Sequence, residues 1–306
     1  MDQAAPSTPP LAKQLLDIAR DIKLSHTVFA LPFALLATFL AAGWATRLPS
    51  WGEFGLILLC MVTARTFAMA FNRWADASID MQNSRTSGRA VPSGRVDRRT
   101  MLAVVLGCAG AFALAAAGFL LFFDNYWPLA LSPLVLIILG GYSFTKRFTW
   151  LCHAVLGFAL AISPVAAAIA IEPGYLGEPT VWLIALMVLA WVAGFDVLYA
   201  LQDTEVDREL GLHSIPSKLG INNALWISRG LHVVSAASLW GAAISSAQLG
   251  ILFMVAAGLT CALLVLEHAL VWGGRTKQLN MAFFTVNGII SLLLGAAGIT
   301  DLLIAG

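Results

Sequence analysis

Nine apolar stretches, each about 20 residues long, run through the chain at roughly 25–45, 51–72, 100–122, 126–145, 150–171, 180–202, 221–243, 246–271 and 281–304. That length matches the hydrocarbon thickness of a bilayer, where no water is present to bond a stray N–H or C=O. A helix satisfies its backbone segment by segment. The sequence therefore predicts an all-α integral membrane protein with nine transmembrane helices. Only 11% of the residues are charged, against roughly one-quarter in a soluble domain. A net charge of +1 provides no bulk attraction to nucleic acid. The opening MDQAAPSTPP is polar and proline-rich and lacks a signal-peptide pattern. Residues 1–12 are read as a disordered tail, and 13–306 as a single transmembrane domain. The four cysteines, Cys60, Cys108, Cys152 and Cys261, stand singly in apolar runs, without metal spacing, and are read as packing residues.

Basic residues fix the orientation. One set of segment ends holds Lys13, Arg20, Lys23, the six arginines from Arg73 to Arg99, Lys146, Arg147, Arg208, Lys218, Arg275 and Lys277. The opposite loops hold Arg47 with Asp124, Glu172 and Glu178, and no other Lys or Arg. By the positive-inside rule the first set is cytoplasmic, which places the N-terminus inside and the C-terminus outside a bacterial inner or plasma membrane.

Polar residues interrupt this pattern in two places. RTFAMAFNRWADASID ends an apolar run with Asn72, Asp76 and Asp80, and DVLYALQDTEVD ends another with Asp196, Tyr199, Asp203 and Asp207. Residues four apart share one face of a helix. The offsets 199 − 72, 203 − 76 and 207 − 80 are all 127. The segments that follow also rhyme, GRAVPSG after the first and HSIPSKLG after the second. Two pseudo-repeated four-helix halves plus one added helix account for this. Both halves point the same way through the bilayer, so the repeat is parallel.

Both acidic stripes fall at the cytoplasmic side, where facing carboxylates would repel one another. A hard cation such as Mg²⁺, which takes oxygen ligands and keeps positions open for phosphate, relieves that repulsion. Arg85, Arg89, Lys146 and Arg147 nearby suit a polyanion, so acidic clusters beside basic loops suggest a metal-bridged diphosphate. Arg65 and Asp196 lie deeper, two turns before Asn72 and Asp203 respectively. Either they line one reaction chamber or they form a buried salt bridge with each other.

NRWADASID resembles the N-x-x-x-D-x-x-x-D signature of the UbiA superfamily of membrane prenyltransferases, and DVLYALQDTEVD resembles its second signature, D-x-x-Y-x-x-x-D-x-x-x-D. RTSGRAVPSG, YSFTKRF and HTVFALPF are similar to it as well, so the likeness covers nearly the whole chain after about residue 12. Arg73 departs from it, standing where many members carry a second acidic residue. The resemblance implies a fold of nine helices around a central cavity, and transfer of an isoprenyl chain from a polyprenyl diphosphate to an aromatic ring. It implies that Asn72, Asp76, Asp80, Asp203 and Asp207 bind Mg²⁺ and diphosphate, and that Arg85, Lys146 and Arg147 hold diphosphate oxygens. Tyr199, Arg65, Lys23 and Asp196 would then line the acceptor region, with Asp196 the candidate base and Arg65 the partner of an acceptor carboxylate. Tyr199, Phe195, Trp191 and Trp74 are candidates to face an allylic cation. The favoured acceptor is the small aromatic acid 4-hydroxybenzoate, with a dihydroxynaphthoate as the alternative. A transporter using the carboxylates for ion coupling is the rival from another class, but the stripes sit at one membrane face rather than the midplane.

Overall fold

The computed structural model describes residues 9–22, 29–271 and 281–305. Lys23 lies outside them. The chain enters through a short helix, α1 (Leu11–Asp21), so Leu11 and Ala12, expected in the tail, already form its first turn. Then come α2 (Leu31–Trp44), α3 (Trp51–Ala75), the single-turn α4 (Ala77–Asp80), α5 (Arg98–Phe123), α6 (Trp127–Thr145) and α7 (Cys152–Ile171). The second part holds α8 (Pro179–Tyr199), the short α9 (Thr204–Glu209) and α10 (Ile215–Leu219), and α11 (Ile221–Ser245), α12 (Ile251–Leu270) and α13 (Asn287–Ala305).

Each apolar stretch contains one of these helices. Among the described residues, however, seven segments are long and apolar enough to cross a membrane, rather than the nine expected. The helix α2 has only 14 described residues. The 25-residue α11 is long enough but is interrupted by Asn222, Asn223, Arg229, His232 and a series of serines.

The long helices pack in chain order, and α13 returns to pack on α2. Within that circuit α8 is the most enclosed, held between α7 and α11. Gly157 explains how closely α7 approaches it: a Cβ there would lie 2.3 Å from the Leu189 carbonyl oxygen. Phe33, Leu36 and Leu40 of α2 and Trp191 of α8 belong to one buried apolar cluster. A cavity of about 350 Å³ lies in the first half, bounded by α3, α5, α6 and α7.

The side opposite the acidic residues is pinned by short-range chemistry. Ser50 and Glu53 form a reciprocal cap at the start of α3, and Arg47 donates to both Glu53 oxygens at 2.9 and 2.7 Å. Trp51 is exposed there, as an interfacial aromatic is. At the other side α1 turns its polar residues onto the bundle: Asp17 lies 3.6 Å from Arg95 and Asp21 lies 3.5 Å from Arg73.

Candidate active site

Neither acidic stripe is one continuous helix. The helix α3 stops at Ala75, Asp76 takes φ −92° and ψ 4°, and α4 begins at Ala77. The helix α8 passes into a 3₁₀ turn over Ala200–Asp203, Asp203 takes φ −104° and ψ 5°, and α9 begins at Thr204. The two elbows thus have nearly the same backbone, and they stand 127 residues apart (203 − 76). An aspartate before a helix ordinarily caps it with its own carboxylate. Here neither Asp76 nor Asp203 makes a side-chain cap bond, so both carboxylates are left for other partners.

Those partners are cations from other parts of the chain. Asp76, almost fully buried, meets Lys146 Nζ at 3.1 Å and Arg147 Nη2 at 3.0 Å. Its Oδ2 also accepts from Asn72 Nδ2 at 2.9 Å, and Asn72 Oδ1 accepts from Arg73 at 2.9 Å. Arg89 donates to both Asp80 oxygens at 2.7 Å. The segment after the first elbow reaches across to the second: Arg85 donates to both Asp203 oxygens, and Asn83 Nδ2 to Oδ1 at 3.1 Å. Burial opposes the charge on Arg85, but the Asp203 carboxylate outweighs it and holds the guanidinium above its ordinary pKa. Arg85 also lies 5.6 Å above the Tyr199 ring. Asp207 sits beside Ser214, within electrostatic reach of Asp203 and Lys146.

The structure thus draws Asn72, Asp76, Asp80, Arg85, Lys146, Arg147, Tyr199 and Asp203 to one end of the bundle. Each carboxylate is turned to its own cation, and among the described residues no three His, Cys, Asp or Glu side chains converge as a metal site.

Two turns along α3 from Asn72, Arg65 lines the apolar cavity with Tyr142, Met61 and Leu139. Among the described residues its buried Nε has no hydrogen-bond partner. The salt bridge considered between Arg65 and Asp196 does not form. Asp196 instead pairs with His153, Oδ2 to Nδ1 at 2.7 Å. Trp74 packs on Phe71 and lies beneath Arg98, 5.0 Å from the guanidinium. Trp191 and Phe195 pack edge to face with each other, 5.1 Å between ring centres.

His153 and Asn83 are the participants that sequence reading passed over. A signal for His153 existed: it stands 127 residues after His26 (153 − 26), the same offset as the acidic elbows. His26 lies outside the described residues.

A site with cations and carboxylates at one end and an apolar cavity along the helices suits a molecule that is anionic at its head and apolar elsewhere. Residues 30–289 match the UbiA prenyltransferase family, and the chain belongs to it. It is a membrane prenyltransferase. A relative from Polynucleobacter asymbioticus, named 4-hydroxybenzoate octaprenyltransferase, is 32% identical over 247 residues, covering 78% of this chain and 82% of that one. The apo structure of a UbiA homolog from Aeropyrum pernix superposes with a TM-score of 0.80 at 32% identity, covering 92% of this chain and 99% of that one. A UbiA homolog from Archaeoglobus fulgidus, solved with GPP and Mg²⁺, shares the fold at a TM-score of 0.71 and 20% identity, covering 94% and 99%.

Proposed function

We propose that this enzyme transfers a polyprenyl chain from its diphosphate to the ring of a small aromatic acid, with 4-hydroxybenzoate as the acceptor. The observation that carries the reading is Arg65: a guanidinium whose buried Nε has no partner among the described residues, at the wall of an apolar cavity, three turns from the acidic elbow. An acceptor carboxylate supplies the partner it lacks. The names of the relatives support the same acceptor.

The donor set fits a hard divalent cation. Asn72, Asp76, Asp80, Asp203 and Asp207 offer only oxygen from their carbonyl and carboxylate groups, and two of the carboxylates stand uncommitted to their own helix caps. These residues would hold Mg²⁺, which supplies charge neutralisation that makes diphosphate a better leaving group. Arg85, Lys146 and Arg147 bind the diphosphate oxygens in exchange for their present carboxylate partners. The C–O bond of the allylic diphosphate breaks with its electron pair leaving on the diphosphate, and a ring carbon of the acceptor forms the new C–C bond. A proton then leaves that ring carbon and aromaticity returns. The apolar cavity takes the chain and keeps water from the allylic cation. Tyr199, under Arg85, faces the same end. Nine spanning helices, with the acidic end cytoplasmic and the C-terminus outside, belong to this reading; the nine apolar stretches support the count and the distribution of lysine and arginine supports the orientation.

Product mass tests it. Protein in lipid, given Mg²⁺, geranyl diphosphate and 4-hydroxybenzoate, is expected to yield prenylated hydroxybenzoate. A product only with dihydroxynaphthoate would move the acceptor, and none with either would overturn the aromatic-acid reading. A chelator is expected to abolish turnover and added Mg²⁺ to restore it, measured in the same assay. Arg65→Leu is expected to raise the acceptor KM about 10–10²-fold, the equivalent of about 1.5–3 kcal/mol for a hydrogen bond to a charged group. The donor KM should hold steady in that variant; an unchanged acceptor KM would remove Arg65 from carboxylate recognition.

A further inference from the structure

His153 is the second residue of α7 and is buried, 3% exposed. One ring nitrogen, Nδ1, lies 2.7 Å from Asp196 Oδ2. The other, Nε2, accepts from the backbone N–H of Ile215 at 3.3 Å. A ring nitrogen that accepts carries no proton, so in the neutral ring the proton is on Nδ1 and is donated to Asp196. Ile215 is itself fixed. It opens α10, where Ser214 and Ser217 cap one another. The Cys152 thiol donates to the His213 carbonyl at 3.3 Å, and the His213 N–H donates to the Lys146 carbonyl at 2.7 Å. The tautomer of His153 is therefore set by a loop tied to the segment that carries Lys146 and Arg147.

Asp196 keeps 23% of its side chain exposed, and among the described residues its Oδ1 has no hydrogen-bond partner. We propose that His153 is a positioning residue for Asp196: it holds the carboxylate through Oδ2 and leaves Oδ1 free to take the proton the aromatic ring must lose. This rests on the transferase reading above. After the C–C bond forms, the ring C–H bond breaks, its electron pair returns to the ring, and the proton passes to Oδ1. Asp196 gives that proton to water when the product leaves.

The test uses the full chain in lipid nanodiscs with Mg²⁺, geranyl diphosphate and whichever aromatic acid wild type accepts. Asp196→Asn and His153→Leu are each expected to lower kcat about 10²-fold, the scale of general-base catalysis, with donor KM unchanged. In the double variant His153→Leu should add no more than about twofold to Asp196→Asn, because both act through one group. His153→Asn, whose amide nitrogen can stand where Nδ1 stood, should recover about tenfold over His153→Leu. Full or additive loss in the double variant, or wild-type kcat in His153→Leu, overturns the positioning role. Full activity in Asp196→Asn overturns Asp196 as base while leaving the transferase reading in place. Nitrogen NMR of histidine-labelled protein gives a readout independent of turnover. A proton on Nδ1, with a signal that moves in Asp196→Asn, supports the pair; a proton on Nε2 overturns it. That result stands even if wild type transfers to neither acceptor, an outcome that would instead overturn the reading on which the proposal rests.

Discussion

Asp76→Asn and Asp203→Asn are each expected to lower turnover by about 10³-fold while the protein still inserts and folds. Removing a single fixed electrostatic contact to a developing charge costs about 10²–10³ in kcat. Here each change also removes one oxygen anion from the set proposed to hold Mg²⁺. The stability cost is expected to be small, because the cations left behind reach solvent: Lys146 is 33% exposed, Arg147 36% and Arg85 34%. Neutralising the buried carboxylate also removes the cost of keeping its charge out of water, which offsets the lost pairing. Asp76→Asn also keeps an amide oxygen facing Lys146 and Arg147, so the local shape survives. Rates at saturating Mg²⁺ and donor, alongside thermal unfolding in the same detergent, separate the two effects. Turnover close to wild type in either variant would remove that elbow from the chemistry, and an unfolding temperature that collapses would make the carboxylate structural instead.

The second large effect is expected at Gly157. An added Cβ would meet the Leu189 carbonyl at 2.3 Å, and that neighbour is backbone rather than the flexible end of a side chain. Gly157→Ala therefore has to push α7 off α8, and overpacking of that kind costs about 1–3 kcal/mol. His153 lies one turn away on α7, so the same displacement lengthens its contact with Asp196. A lower unfolding temperature and a loss of turnover should appear together. Gly141→Ala on α6 is the control: nothing lies within 4 Å of a Cβ there, and alanine favours a helix by about 1 kcal/mol over glycine. Equal unfolding temperatures for the two variants would show that the approach of α7 to α8 does not depend on Gly157.

The helices were legible because apolar length is nearly sufficient to specify a spanning segment. The equivalence of Asp76 and Asp203 was legible from one repeated offset. The elbows were not: a spacing of four is compatible with an unbroken helix, and only the backbone at Asp76 and Asp203 shows that each stripe bends. Ion-pair partners were not legible either. Arg85 reaches Asp203 across 118 residues and Arg147 reaches Asp76 across 71, and no local pattern encodes such pairs. His153 was lost for the same reason, since its partner is on the next long helix, 43 residues away.

The two elbows share a backbone but not their side chains. Position 72 is an asparagine where its equivalent, 199, is a tyrosine, and position 69 is a methionine where 196 is an aspartate. A diphosphate is nearly symmetric about its bridging oxygen, whereas prenyl transfer is not, because only one end bears the carbon that moves. With a diphosphate bound as proposed, the paired elbows give a cradle that fits the symmetric part twice. The difference between positions 69 and 196 gives that cradle a direction: one half can serve only to grip, while the other carries an acidic group for the chemistry. A symmetric pair of identical halves would have to place an acidic group at both ends of the diphosphate or at neither.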